Sequence, residues 1–376
     1  MADLLLLPAG LPRALVLIVA AGILAAIWLR RRWLPADAPA EAAPAPAGTT
    51  RCLVIVARNE ERTLPALLGD LAHLLGEDEG LSILLADDAS TDGTRPLFEA
   101  FCARHPSGRA HLLPARPELR GKPAWLQAAV SACRAGQLLF SDADCRLPPG
   151  WSLALGGRLA QGLAAAGGPV LLERNPPASL AARWQRLHWV LLSGLGAALS
   201  ARRGSAPSLW GANLAFDRAA VEALGGYAEL ARASVGEDLA LCRALVARGA
   251  RVRLFGDPGL CVRTAAGGWS DCARQLARWS GGLPRLAGRD ALLVLAAALW
   301  LASLAGILLV KPLLGLLLGA AAALALAALL GELAGGLDEE PVPLADAALY
   351  LAAWPPLALG ALWLALRGDT SWRRPL

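Results

Sequence analysis

The sequence predicts an α/β domain with a mostly parallel sheet, set among membrane-spanning helices. Three observations carry that expectation. Short apolar runs of β type end in acidic turns and give way to stretches with helical apolar spacing, the strand–turn–helix order of a parallel sheet. Uncharged apolar runs of spanning length lie near both ends of the chain. The composition, 56% hydrophobic residues among 376 with a mean hydropathy of +0.46, is too apolar for an ordinary soluble protein.

The N-terminal run, Ala14 to Leu29, is followed at once by Arg30, Arg31 and Arg32. A signal peptide carries its charge before the apolar stretch, so this one reads as an uncleaved anchor within residues 1–34. Positive flanks stay cytoplasmic, which puts the N-terminus outside and the next domain in the cytoplasm. Residues 35–49 form an Ala/Pro linker. At the other end, residues 291–366 hold about three spans: Ala291 to Val310, Leu313 to Leu330 after a tight Lys311-Pro312 turn, and Ala347 to Leu366 with a kink expected at Pro355-Pro356. A tail, 367–376, follows; Arg373 and Arg374 within it run against the positive-inside tendency. The expected location is the cell inner membrane, multi-pass, with a cytoplasmic catalytic domain.

Charge and cysteine usage narrow the class further. The net charge is +5, yet Lys122 and Lys311 are the only lysines among 36 basic residues, so a lysine in the polar region stands out. Seven scattered cysteines without a C-x-x-C pair fit a reducing compartment, not a disulfide framework. The four histidines show no metal-ligand spacing. No basic-aromatic motif for nucleic acid is present.

Between the spans, residues 50–265 read as one α/β domain. Arg51 to Ala57 is a buried strand, closed by Arg58, Asn59, Glu60 and Glu61, with a helix over Thr63 to Leu75. Leu81 to Ala86 is a second strand, ending at Asp87-Asp88-Ala89-Ser90-Thr91-Asp92-Gly93, with a helix around Leu97 to Arg104. Gln137 to Phe140 is a third, ending at Ser141-Asp142-Ala143-Asp144. Ligands of parallel sheets bind at the carboxyl ends of strands, and these acidic turns share that edge. Two carboxylates one residue apart suit a hard divalent cation, Mg²⁺ or Mn²⁺, shared with substrate phosphates; a solvated turn has the same composition.

Lys122, ahead of a helix over Ala124 to Arg134, is a phosphate partner or a solvated loop lysine. The apolar stretch Leu187 to Leu199, flanked by Arg183, Arg186, Arg202 and Arg203, is too short to span and reads as a buried or an interfacial helix. Glu237-Asp238 opens a helix over Leu239 to Arg248, where Asp238 is a helix cap or a functional carboxylate. Residues 266–290 hold an amphipathic helix. Its Trp269, Cys272, Leu276, Trp279 and Leu283 share one face, and it carries Gln275, Arg278 and Trp279.

Taken in order, these motifs resemble the family 2 glycosyltransferases, inverting enzymes with a GT-A fold. The resemblance covers roughly Arg51 to Leu283 and rests on Asp87 to Gly93, Asp142-Ala143-Asp144, Glu237-Asp238 and Gln275-Leu276-Ala277-Arg278-Trp279. The last looks like the Q-x-x-R-W signature of membrane-embedded members such as polysaccharide synthases and ceramide glucosyltransferases. One departure is Ala89, where the family usually has Gly.

The resemblance implies metal-dependent hexosyl transfer. Donor binding would fall to Asn59, Glu60, Asp87, Asp88, Lys122, Asp142 and Glu237, and the metal to Asp142 and Asp144. Asp238 would be the general base; Gln275, Arg278 and Trp279 would close over the diphosphate and the acceptor mouth. The donor would be a UDP- or GDP-sugar and the acceptor a membrane lipid or lipid-linked molecule. A processive polysaccharide synthase and a non-catalytic nucleotide-binding membrane scaffold are the competing expectations.

Overall fold

The computed structural model describes residues 48–225, 237–280 and 312–367, apart from 107, 117, 120, 176, 177 and 207, and otherwise only 20, 21, 23, 24, 299, 303 and 306–309. Most of the expected N-terminal anchor and of the Ala/Pro linker, Leu283, most of the span 291–310, Lys311, and Arg373 and Arg374 of the tail lie outside the described residues. Two compact units divide the chain. One holds residues 36–175 and 192–265; the other holds 1–35, 176–191 and 266–376.

The first unit is built on a seven-stranded sheet. Its strands are β1 (Arg51–Ala57), β2 (Leu81–Asp87), β3 (Ala110–Leu112), β4 (Gln137–Asp142), β6 (Ala165–Gly167), β8 (Leu214–Asp217) and β9 (Val252–Leu254), in the order β3-β2-β1-β4-β8-β6-β9. β1 runs parallel to both β2 and β4, and β3 and β9 are also parallel to their neighbours; β8 alone pairs antiparallel, with β4 and β6. A small second sheet joins β5 (Cys145–Arg146), β10 (Val262–Thr264) and β7 (Val170–Leu172).

Strand alternation builds the core. Cys52, Val54 and Val56 of β1 enter one buried cluster, and Leu53, Ile55 and Ala57 enter the other, on the opposite face. A strand covered on both faces carries an unbroken apolar run, which is why β1 reads so clearly in the sequence. Helices cover the faces. α1 (Leu64–Glu77) buries Leu64, Leu67, Leu68, Leu71, Leu74 and Leu75, the 3–4 spacing of one helical stripe. Each such leucine contributes roughly 1.5–3 kcal/mol by leaving water. α2 (Thr94–Arg104), α3 (Lys122–Ala132), α4 (Trp151–Leu159), the later part of α5 (Leu180–Arg203), α6 (Arg218–Glu222) and α7 (Glu237–Ala247) complete the set.

Two elements differ from the sequence expectation. α3 begins at Lys122, two residues earlier than its apolar spacing suggests, because Gly121 takes φ +79° and Pro123 sits in the first turn, a good start for a helix. α5 is 24 residues long; the arginines flanking its apolar stretch lie within the helix and do not end it.

The second unit contains the start of α5, α8 (Trp269–Ser280), α9 (Pro312–Gly336) and α10 (Leu344–Leu366), with α8 and α9 both packed on α10. α9 and the stretch Leu344–Ala361 of α10 are long and apolar enough to cross a membrane. α10 continues through Pro355 and Pro356. Arg183 of α5 donates its Nε to Asp346 at 2.9 Å, and Arg186 donates to the Glu340 carbonyl at 2.6 Å. The α9–α10 connection is thereby tied to α5.

Candidate active site

Register places the acidic turns together. Asp87 ends β2 opposite Ala57, and Asp142 ends β4 opposite Val56, so both flank the carboxyl end of β1. Asp144 lies in the turn between β4 and β5, held by the pairing of Cys145 with Thr264.

The neighbouring turns are fastened to one another. Asn59 has φ +56° and Ala89 φ +54°, both in the left-handed region. Asn59 suits that conformation; Ala89 does so at a cost of roughly 1–2 kcal/mol. Thr91 N donates to Asn59 Oδ1 at 2.8 Å, Asn59 N donates to Ser90 Oγ at 3.0 Å, and Glu60 N donates to Thr94 Oγ1 at 2.8 Å. The Glu60 carboxylate accepts from Thr63 Oγ1 at 2.8 Å. Ser90 N donates weakly to Asp87, at 3.4 Å.

Asp88 is almost wholly buried. It accepts from Gly121 N at 3.2 Å and from Trp125 Nε1 at 3.0 Å, with Arg58 3.9 Å away. Asp88 therefore anchors the start of α3, and with it the backbone of Lys122. Gly121 and Trp125 carried no functional signal in the sequence; only the glycine before Lys-Pro hinted at a tight helix start.

Lys122 sends its ammonium to Asp142, as an ion pair. Its side chain is 12% exposed and that of Asp142 is 36% exposed, so this is no solvated loop lysine. Opposite it, the turn Trp210 to Asn213 enters β8. Asn213 is fully buried and pins that turn: it accepts from Trp151 Nε1 and donates to the carbonyls of Pro169 and Leu260. Ser141 of β4 donates to the Ala212 carbonyl at 2.9 Å. Gly211, so held, donates its amide to Asp238 Oδ2 at 2.9 Å. A Cβ at Gly211 would lie 3.1 Å from Asp238 Oδ2 and 3.7 Å from Lys122 Nζ. Lys122, Asp142 and Asp238 thus share one neighbourhood. Asp238 lies one residue inside α7, past the N-cap position, and accepts from Leu239 N at 2.7 Å. Glu237 precedes it as the first residue of α7.

A buried thiol lies beside each carboxylate centre. Burial pushes the Cys145 thiol well up, with Asp144 and Asp142 adding to the shift and Lys122 opposing it. Burial likewise pushes Cys242 up, and Asp238 one helical turn earlier adds to it. Both stay neutral and leave the site's charge to its carboxylates and lysine.

The donor set fits a hard divalent cation. Asp142 and Asp144 stand one residue apart at the end of β4, and the Lys122 ammonium pairs with the first of them. No cluster of three or more His, Cys, Asp or Glu side chains is found among the described residues. Oxygens from elsewhere, such as diphosphate and water, would have to complete an octahedral shell around Asp142 and Asp144.

In the second unit, Gln275, Arg278 and Trp279 lie together on α8, all partly buried. Cys272 and Ala277 are the fully buried residues of that helix, while Trp269 is 38% exposed. Trp279 is held by two rings of α5: His188 stacks on it at 5.7 Å and Trp189 meets it edge-on at 5.5 Å. His188 in turn stacks on Trp184 at 4.7 Å and shares a 2.8 Å hydrogen bond with Tyr350. Burial drops the His188 imidazole to a pKa of about 3. From the sequence His188 reads only as a structural or surface residue, since a lone histidine has no spacing to interpret.

With the geometry in place, similarity to known proteins decides the class. A family model described as glycosyl transferase family group 2 matches residues 138–366, more than half of the chain. The chain belongs to that family. No curated protein matches it. Among solved structures, the mannosyltransferase PcManGT from Pyrobaculum calidifontis, in complex with GDP-Man and Mn²⁺, aligns over 95% of this chain and 98% of its own, at 20% identity and a TM-score of 0.62. A glucosyl-3-phosphoglycerate synthase from Mycobacterium tuberculosis aligns over 61% of this chain and 76% of its own, at 19% identity and a TM-score of 0.39. The first likeness establishes the GT-A fold for this glycosyltransferase.

Proposed function

We propose that this glycosyltransferase moves a single hexosyl unit from a nucleotide-diphosphate sugar to a membrane lipid, with inversion at the anomeric carbon and with a divalent cation at Asp142 and Asp144. The observation that carries the reading is the grouping of Lys122, Asp142 and Asp238 at the carboxyl end of the sheet. Among the described residues, two helices are of spanning length. The complex of PcManGT with GDP-Man and Mn²⁺ favours a nucleotide-sugar donor and a metal.

In this reading Asp238 accepts the proton of the acceptor hydroxyl. The freed oxygen attacks the anomeric carbon from the face opposite the leaving group. The bond to the diphosphate oxygen breaks, and the nucleoside diphosphate departs with the electron pair. Lys122 and Arg278 balance the charge that builds on the diphosphate. A bound cation would supply Lewis-acid stabilisation of that same charge. Asp88 holds the start of α3 so that Lys122 reaches the diphosphate. Asn59, Glu60 and Asp87 shape the turns that receive the nucleoside, and Glu237 stands beside the base. Gln275 and Trp279 are assigned to the acceptor on the strength of the Q-x-x-R-W motif.

Single transfer is favoured over a processive synthase by the sequence, which predicts only about four spans. A few helices of roughly 10–12 Å diameter enclose little beyond their own side chains. The retained carboxylates argue against a silent scaffold. The test supplies the purified enzyme with labelled UDP- and GDP-sugars and mixed membrane lipids. Label in an organic-extractable product carrying one sugar is expected; a high-mass, water-soluble polymer overturns the reading.

A further inference from the structure

We propose that Lys122 is an exchangeable internal cation. It holds Asp142 until a donor diphosphate arrives, so that a divalent ion binds together with the nucleotide and not ahead of it. The inference rests on the reading of Asp142 and Asp144 as the cation-holding pair, and deepens it.

The backbone of Lys122 is fixed, while its head is free to change partner. The preceding Gly121 amide donates to both oxygens of buried Asp88, at 3.2 Å each, and Trp125 one turn later donates to the same carboxylate. Beyond this anchor runs a flexible four-carbon stem ending in a point charge that can re-aim its donors. That charge pairs with Asp142 and also lies within 3.7 Å of the Cβ position of Gly211, beside Asp238. It stands beside two carboxylates, Asp142 and Asp238.

Charge counting gives the consequence. Asp142 and Asp144 together offer two negative charges, which match a divalent ion. With the ammonium on Asp142 that carboxylate is already balanced, and an arriving cation also meets a positive neighbour. A bare metal ion must displace Lys122 from Asp142, and the ammonium then stays nearby, beside Asp238, as a repelling positive neighbour. A diphosphate changes the balance, because its oxygens give the ammonium a new partner and release Asp142. The start of the eleven-residue α3 favours an anion at the same place through the helix dipole. The lysine therefore acts as a lock on the metal site that the donor opens. A lysine that is a permanent strut for Asp142 has the opposite signature, since its removal would loosen the carboxylate and weaken the metal.

The experiment uses the full chain in detergent and follows Mn²⁺ by electron paramagnetic resonance, first alone and then with GDP or UDP. Wild type should hold Mn²⁺ alone weakly and gain strongly with nucleotide. Lys122→Met should bind Mn²⁺ alone about ten-fold more tightly than wild type and gain much less from nucleotide. Lys122→Arg keeps the charge and should resemble wild type. Circular dichroism checks that each variant is folded, and Lys122→Gln serves if Lys122→Met is not. Mn²⁺ affinity in folded Lys122→Met that is equal to or below wild type overturns the lock. Asp144→Asn should lose Mn²⁺ under all conditions. If it keeps wild-type binding, the cation-site reading itself fails, and the lock with it.

Discussion

Gly211 donates its backbone amide to Asp238 Oδ2 at 2.9 Å, while Leu239 donates its own to Oδ1 at 2.7 Å. One backbone donor on each oxygen fixes the plane of the carboxylate, as a group that must meet an acceptor hydroxyl requires. Asp238→Asn places an NH₂ against one of those amides and removes the proton acceptor. We expect kcat to fall by about 10²–10⁴-fold, the usual range for a general base, with nucleotide binding retained. Lost nucleotide binding at an unchanged turnover rate would show that Asp238 serves the donor instead.

The turn that carries Gly211 makes a sharper prediction. A methyl group there would meet Asp238 Oδ2 at 3.1 Å and approach Lys122 Nζ. The buried ties of Asn213 leave the turn little room to yield. Gly211→Ala should therefore reduce kcat by at least about 10-fold, which corresponds to a displacement costing about 1.4 kcal/mol, with little change in melting temperature. Wild-type turnover in this variant would contradict the close approach.

Parts of this site were legible in the sequence because each rests on a long, uniform signal. β1, β2 and β4 are six or seven residues of nearly unbroken apolar character, and the acidic residues ending them mark one sheet edge. Strands of two or three residues, such as β3, β6 and β7, are too short for any periodicity. The contact of Gly211 with Asp238 joins positions 27 apart and has no local signature. The role of Asp88 as anchor of Lys122 was hidden for the same reason: its partners, Gly121 and Trp125, come from the far side of β3. Lys122 itself stood out only because lysine is so rare here.

Ala89 departs from the glycine usual in the family, and its backbone explains what that departure means. At φ +54° the Cβ crowds the following carbonyl. Ala89→Gly should stabilise the protein by about 1 kcal/mol, the strain relief less the added freedom of the unfolded chain. The turn is otherwise held by hydrogen bonds to Asn59 and Glu61, so activity should be unchanged. A lower melting temperature for the glycine variant would count against the strain.

His188 predicts an acid sensitivity. In the unfolded chain its imidazole takes a proton near 6.5, but in the folded protein burial delays this to about 3. Between those values the unfolded state binds the extra proton. Stability is thus fully present above about 6.5 and declines as pH falls toward 3, by up to about 1.4 kcal/mol per pH unit. Melting temperatures of wild type and His188→Phe should be compared from pH 7.5 to 5. The variant should start lower, having lost the Tyr350 bond, and should fall less steeply; parallel slopes would remove His188 as the cause.

The last prediction concerns sidedness. Arg183 and Arg186 of α5 hold Asp346, Glu339 and the Glu340 carbonyl around the α9–α10 connection. If α9 and α10 cross a membrane, they deliver that connection to one face, and α5 is not among the described helices of spanning length. The connection must then lie on the same face as the start of α5, whichever face that is. Cysteines at Ser179 and Val342 test this directly, since Ser179 immediately precedes α5 and Val342 lies in the connection. In intact cells and in inverted vesicles the two should react alike with an impermeant thiol reagent. If the cytoplasmic placement inferred from Arg30, Arg31 and Arg32 holds, both should react only in inverted vesicles. Labelling of Val342→Cys from one side and Ser179→Cys from the other would break the helix arrangement. Joint labelling from outside the cell would keep that arrangement and reverse the orientation.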